Sequence, residues 1–163
     1  MNKIFQNSLP AFIVSLSFFI FNSVSLADDM DDVMDVLNAY IQTEADLEEQ
    51  AKLIADDRLF IAGNPAWRQS NNEANMKMQI AVEKRRAMLD PDGLFMATME
   101  DEVVRVYGGT AVASFYRSMN WRPSAEGVRN GQSNNTNRQL VTVVMVKQGR
   151  SWKIVHTHIS AAS

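Results

Sequence analysis

Apolar residues in the first half of the chain recur every three to four positions, a spacing that is typical of helices with one buried face. The first such pattern, at 33–41, follows four aspartates that suit the positive end of a helix. A second pattern starts at Asp46, a residue that favours helix caps, and is expected to end near 56–57. A third starts at residue 71 or 72 and is stopped by the Asp-Pro-Asp-Gly sequence at 90–93.

A strand-like alternation replaces this helical spacing in the second half of the chain. Strands are expected at 58–62, 94–99, 103–107, 110–121, 138–147 and 152–160. The acidic residues 100–102 predict a bulge, and Gly108-Gly109 predicts a tight hairpin. Residues 122–137 are rich in Gly and Asn and are expected to form a long exposed loop. Helices followed by antiparallel strands predict an α+β fold.

The N-terminal segment has the pattern of a secretory signal peptide. Lys3 supplies a positive start, an apolar run follows at 9–21, and small residues suit cleavage before Asp28. The apolar run is short for a membrane span of about 20 residues. We therefore predict a signal peptide at 1–27, one domain at 28–163, and an exported protein that is periplasmic or secreted. An uncleaved membrane anchor is the alternative.

Composition and charge exclude several classes of protein. The 16 Lys and Arg against 19 Asp and Glu give a net charge of −3. Because no basic face emerges, nucleic acid is not an expected partner. After cleavage of the signal peptide, no membrane partner is expected either. The chain has no cysteine, which excludes disulfides, thiolate catalysis and cysteine-based metal sites.

Three stretches carry a resemblance to a known family: residues 46–57, the sequence VRVYG at 104–108 with AVA at 111–113, and WKIVHTHIS at 152–160. Through them the chain resembles the SnoaL-like branch of the nuclear transport factor 2-like superfamily. The last stretch is also similar to the association domain of calcium/calmodulin-dependent protein kinase II. The resemblance implies helices packed on a curved, mostly antiparallel sheet that forms a conical pocket (a cystatin-like α+β roll). It also implies a homodimer, which would cover the second apolar face of the late strands.

The resemblance does not extend to the catalytic groups of ketosteroid isomerases. Their carboxylate base aligns with Ala62, their oxyanion-binding Asp with Thr142, and their Tyr with Asn38, about half a helical turn from Tyr40. Ala62 cannot take a proton, and the other two positions have also lost the required side chain. We therefore expect no isomerase activity by that mechanism.

The two histidines, His156 and His158, lie two residues apart and are expected on one face of the last strand with Trp152 and Ile154. They could act as an acid-base pair or as metal ligands. No third ligand with a recognised spacing is present, so we expect no metal and no cofactor, and we interpret both histidines as structural. Replacing either by Gln should therefore alter stability or dimerisation more than ligand affinity.

The candidate ligand-binding residues are those that are expected to line the pocket. Alternation on one strand places Tyr116, Ser118 and Asn120 together, either in the pocket or on the outer face. The similarity to the association domain places Val143, Val155, Thr157 and Ile159 inside. Trp67 could line the pocket mouth or pack in the core, and Tyr40 completes the set. The methionines Met76, Met78 and Met88 of the third helix are interpreted as core packing.

The sequence is compatible with three functions. The favoured one is the binding of a small, largely apolar molecule in the pocket. The second is a SnoaL-like enzyme (isomerase, dehydratase or hydrolase) that uses His156, His158 or Tyr116 as acid-base groups. The third is a non-catalytic assembly domain.

Overall fold

The computed structural model describes residues 17–63 and 67–162, so residues 1–16 of the expected signal segment lie outside the described part. The helices are α1 (Ser17–Gln42), α2 (Leu47–Ala51), α3 (Asn72–Leu89) and α4 (Ala125–Arg129), with a short 3₁₀ turn at Thr43–Ala45. The strands are β1 (Ile54–Ala62), β2 (Trp67–Gln69), β3 (Leu94–Tyr107), β4 (Thr110–Arg122), β5 (Asn135–Gln148) and β6 (Ser151–Ala161). None of the helices in the described part is long and apolar enough to cross a membrane.

The strands form one six-stranded sheet in the order β2-β1-β6-β5-β4-β3. All neighbouring pairs are antiparallel except β1 and β6, which run parallel. The helix α1 packs on the sheet through contacts with β3 and β6, and α3 contacts β1 and α2. The predicted α+β fold, with N-terminal helices on a mostly antiparallel sheet, is confirmed.

Two local predictions need correction, and one strand was missed. The second helix ends at Ala51, because Ile54 already pairs with Ile154 in the parallel β1–β6 ladder. The residues 122–137 contain the helix α4, whose first turn is capped by the side chain of Ser124. The short edge strand β2 was not predicted.

The predicted bulge in the long strand and the predicted hairpin are both confirmed. The register of β3 against β4 shifts between Glu100 and Val103, and Asp101 adopts a positive φ of 52°. Gly108, in the turn between β3 and β4, has a φ of 58°, a conformation that glycine adopts without steric cost.

A second bulge changes the faces of β6. The β5–β6 register shifts where Val144 pairs with His156 and Met145 with Ile154, so Val155 is the extra residue. Because of this bulge, Trp152 and Ile154 are buried on one face while His156 and His158 project from the other. The expectation that these four residues share a face is therefore wrong.

The core lies between α1 and the inner face of the sheet. Val33 and Leu37 of α1 are fully buried, as are Val141, Val143 and Met145 of β5. The opposite face of β3 to β6, called the outer face below, stays partly exposed at apolar residues.

Candidate functional site

A cavity of about 480 Å³ opens between α1, α3 and the inner face of the sheet. Its apolar lining comes from Tyr40, Phe60, Trp67, Met78, Met119 and Ile159. Its polar lining includes Glu44, Gln50, Asn75, Gln79, Arg117 and Gln139. The cavity is thus mixed in character and not purely apolar.

A buried ion pair forms part of this lining. The Nη1 group of Arg117 donates to the carboxylate of Glu44, and both side chains are less than 10% exposed. Arg117 also donates from Nε (3.1 Å) and Nη2 (2.6 Å) to Oε1 of Gln139 on the neighbouring strand. Burial acts to lower the pKa of Arg117, but Glu44 and Tyr40 outweigh it and raise the pKa. The two charges are matched, so the lining residues carry no net formal charge.

The side chain of Tyr40 interacts electrostatically with both members of this pair. It is 2% exposed, and its backbone carbonyl accepts a hydrogen bond of 2.8 Å from Nε2 of Gln50. Burial raises the pKa of Tyr40. The negative charge of Glu44 raises this pKa further, whereas the positive charges of Arg117 and Arg58 act to lower it. The phenol therefore stays protonated at neutral pH and can donate a hydrogen bond.

The start of α3 is fixed to the sheet by polar contacts. The side chain of Asn71 caps the helix by accepting from the N–H of Ala74 at 3.0 Å. The next residue, Asn72, donates to the carbonyl of Ala55 at 3.1 Å and accepts from Nε of Arg58 at 2.9 Å. These bonds set the rotation of α3 relative to the cavity.

That rotation directs a polar stripe of α3 toward the sheet. Asn75 and Gln79 lie one and two turns after Asn72, and both line the cavity. Asn75 is 1% exposed, yet neither its Oδ1 nor its Nδ2 has a hydrogen-bond partner among the described residues. The Nε2 of Gln79 is likewise buried without a partner in that part of the chain. Buried amides of this kind are rare in proteins, and each one needs an explanation.

The methionines of α3 meet the expectation of core packing only in part. Met76 is buried, but Met78 is 47% exposed and Met88 is 84% exposed. Val82 and Leu89 are exposed as well. The inner side of α3 therefore supplies hydrogen-bonding groups to the cavity as well as the core contacts of Met76 and Ile80.

The structure brings two of the expected ligand-binding residues to the cavity, Tyr40 and Trp67. Trp67 is 42% exposed and packs edge-on against Phe60 at a ring-centroid distance of 6.2 Å. Thr157 lies on the inner face and is fully buried, with a hydroxyl that has no hydrogen-bond partner among the described residues.

Of the two orientations left open for Tyr116, Ser118 and Asn120, the one that faces the cavity is wrong. The inner positions of β4 belong to the alternate set, so Arg117 and Met119 line the cavity instead. Tyr116, Ser118 and Asn120 could contact a ligand only on the outer face.

Both histidines also lie on the outer face. His156 pairs with Val144 and Leu59, and His158 pairs with Thr142 and Ile61. Burial lowers the pKa of His156, and the nearby His158 adds to this effect. In the described part of the chain no group of three or more acidic or histidine side chains could hold a metal ion.

Sequence reasoning missed the polar half of the site. The inner stripe of α3 could have been found from the helical spacing of its polar residues, which are Asn72, Asn75, Gln79, Glu83 and Arg86. The buried pair of Glu44 and Arg117 is separated by 73 positions, and no local signal connects its members.

The fold and this cavity define a class of protein, an α+β roll with a cavity between its helices and the inner face of one curved sheet. The family model of the SnoaL-like domain matches residues 31–163. The chain belongs to this family.

Solved structures share the fold at low sequence identity. An NTF2-like protein with a cystatin-like fold from Novosphingobium aromaticivorans is 14% identical, with a TM-score of 0.70 over 93% of this chain and 92% of that chain. An NTF2-like superfamily protein from Salmonella enterica is 19% identical, with a TM-score of 0.61 over 85% and 94%. The β subunit of benzoate 1,2-dioxygenase from Burkholderia mallei is 12% identical, with a TM-score of 0.65 over 81% and 89%. No curated protein is significantly similar in sequence.

Proposed function

We propose that the protein binds a small organic molecule with an apolar body and one neutral polar group. The observation that carries this proposal is the amide of Asn75, which is buried in the cavity wall without a hydrogen-bond partner among the described residues. Leaving such a group unpaired costs about 1–3 kcal/mol, and a ligand with a matching donor and acceptor would recover that cost. This ligand is more polar than the largely apolar molecule expected from the sequence.

The size and charge of the cavity support a neutral ligand of modest size. A volume of about 480 Å³ lies within the usual range for small-molecule sites. Because Glu44 and Arg117 already neutralise each other, a charged group placed beside them would gain no unpaired counter-charge. The aromatic residues Tyr40, Phe60 and Trp67 offer surface to an apolar body.

Binding is favoured over acid-base catalysis by the state of the titratable groups. Glu44 is the one carboxylate among the described lining residues, and it is held by Arg117. The pKa of Tyr40 is raised, and a phenol with a raised pKa is a poor base at neutral pH. The histidines, the side chains that ordinarily titrate near neutral pH, lie on the outer face.

A bicyclic lactam tests the proposal, because the N–H and C=O of a lactam can pair with both polar atoms of one amide side chain. We expect 2-quinolinone to bind more tightly than naphthalene, which has the same shape but no polar group. Asn75→Leu should remove that preference. Two neutral hydrogen bonds correspond to about 2 kcal/mol, or roughly thirtyfold in affinity. Isothermal titration calorimetry measures both affinities.

The matched control is Tyr116→Phe, which removes a hydroxyl from the outer face of the sheet. It should leave the affinity for 2-quinolinone unchanged. If Tyr116→Phe weakens binding and Asn75→Leu does not, the ligand occupies the outer face and the proposed site is wrong.

We also propose that the protein is exported and that its mature chain starts near Asp28. The support is the sequence pattern of a positive start, an apolar run and a small-residue cleavage site. Mass spectrometry of the protein from its native host should give an N-terminus near Asp28. A membrane-bound product that keeps the segment 1–27 would contradict export by cleavage.

A further inference from the structure

A second cavity of about 350 Å³ adjoins the first. It is lined by Arg86, Phe95, Met119, Trp121, Asn135 and Asn137. Met119 and Asn137 line both cavities, so the two spaces are neighbours. Phe95 and Trp121 face each other across the β3–β4 pair, and Arg86 reaches them from the last turn of α3.

The guanidinium of Arg86 lies against both aromatic rings. Its central carbon is 4.0 Å from the ring centroid of Phe95 and 5.6 Å from that of Trp121. A guanidinium that stacks on aromatic rings through its face keeps its N–H groups at its edge, where they can still form hydrogen bonds. Two parallel N–H groups at such an edge match the geometry of a carboxylate.

The positive charge of Arg86 has no ion-pair partner within the described residues. The carboxylates that influence it, Glu83 and Glu44, are engaged elsewhere. Glu83 accepts from the backbone N–H of Leu47 at 3.2 Å, and Glu44 is paired with Arg117. Asp90, near Trp121, accepts from the N–H of Ser124 at 2.9 Å.

Partial burial strengthens the attraction between the charge of Arg86 and an anion in the cavity. Burial lowers the pKa of Arg86, while Glu83 and Glu44 act to raise it, and an arginine remains protonated in proteins. An anion that entered the cavity would face a cation that is less screened by water than an exposed arginine. The amides of Asn135 and Asn137 add neutral hydrogen-bond donors to the same wall.

We propose that this second cavity is an anion-binding subsite that takes a monocarboxylate attached to a flat apolar body. The carboxylate pairs with the edge of Arg86, and the apolar body lies against Met119 and Trp121. A single guanidinium balances one negative charge, which favours a carboxylate over a doubly charged phosphate. The inference concerns a cavity other than the one proposed for the neutral group. Because Met119 and Asn137 line both cavities, the variants Asn75→Leu and Arg86→Gln are needed to separate binding in the first from binding in the second.

The test compares 2-naphthoate with 2-naphthamide, which has nearly the same shape but no charge. We expect the wild-type protein to bind 2-naphthoate about tenfold more tightly than 2-naphthamide, as charge-assisted hydrogen bonds are stronger than neutral ones. Arg86→Gln should abolish this preference, and Arg86→Lys should restore part of it. Isothermal titration calorimetry gives the affinities, and thermal melting shows that each variant is folded.

Arg85→Gln is the matched control, since it removes the same charge from the adjacent, exposed position of α3. It should change the affinity for 2-naphthoate less than twofold. The proposal is overturned if wild-type protein shows no preference for 2-naphthoate, or if Arg85→Gln lowers it as much as Arg86→Gln. It is also overturned if Asn75→Leu abolishes the preference and Arg86→Gln does not, because the carboxylate would then occupy the first cavity. A preference for inorganic phosphate over 2-naphthoate would equally contradict it.

Discussion

The buried charges of Glu44 and Arg117 illustrate how single residues determine the character of the cavity. Both side chains are removed from water, and the cost of that removal is offset by their mutual attraction and by the bonds from Arg117 to Gln139. Such a pair fixes the position of β4 relative to the 3₁₀ turn that follows α1 at the cavity wall. It also leaves a neutral wall, in which the unpaired groups are amides and not charges.

The first prediction removes one member of this pair. Arg117→Met should destabilise the protein by about 3–5 kcal/mol, because it leaves the carboxylate of Glu44 buried without its partner. The double variant Glu44→Gln with Arg117→Met should recover part of this loss, since no buried charge remains. Chemical denaturation measures both. Equal losses in the single and double variants would show that the pair is not coupled.

The second prediction concerns His156, whose pKa is lowered in the folded protein, first by burial and then by His158. Because the unfolded chain binds the proton more readily, stability should be full above the ordinary histidine pKa of about 6.5 and fall as the pH decreases through and below it. His156→Gln should remove this part of the pH dependence. Melting curves of both proteins between about pH 8 and pH 5 provide the measurement. Parallel pH profiles would contradict the assignment to His156.

Residue identities predicted only part of this site. Trp67 was found because an aromatic residue near an expected pocket mouth is a natural candidate. Tyr40 was found because it lies about half a helical turn from Asn38, which aligns with the Tyr of the ketosteroid isomerases. Glu44, Arg117 and Asn75 were not found, since their burial depends on contacts between elements that are distant in sequence. Polar residues at such positions have the same local signature as ordinary surface residues.

At the scale of elements, spacing predicted the types of structure well and their orientation less well. Periods of about 3.6 and 2 identified the helices and the long strands. The bulge at Val155 then shifted the alternation of β6 by one residue, which separated the histidines from Trp152 and Ile154. The helix α3 was oriented correctly only in part, because apolar stripes usually face a core, whereas here the inner face also borders a cavity.

The third prediction uses the bulge in β3. Asp101 is exposed and adopts a φ of 52°, which aspartate tolerates but a β-branched residue does not. Asp101→Val should therefore destabilise the protein by about 1–2 kcal/mol. Asp101→Asn, which suits the same conformation, should be close to neutral. Urea denaturation compares the two, and an equal effect in both would mean that the loss of charge and not the backbone conformation is responsible.

At the scale of the whole molecule, the sheet has two unequal faces. The inner face packs against α1 and encloses the cavities. The outer face includes Val103 (53% exposed), Val112 (36%) and Leu140 (38%), which lie on three adjacent strands. An apolar sheet face of this kind is unusual in a monomer and is typical of a surface that binds a partner. The homodimer expected from the sequence would cover it with the same face of a second copy.

The fourth prediction tests this homodimer. Light scattering at micromolar concentration should give the mass of a dimer. Val112→Glu should dissociate it, because it places a charge beside Val144 on the outer face that the second copy would cover. Val82→Glu is the control, since Val82 is 65% exposed on α3, away from the outer face. It should leave the dimer intact. A monomer mass for the unaltered protein without aggregation would contradict the prediction, and dissociation by Val82→Glu alone would move the interface to the exposed apolar side of α3.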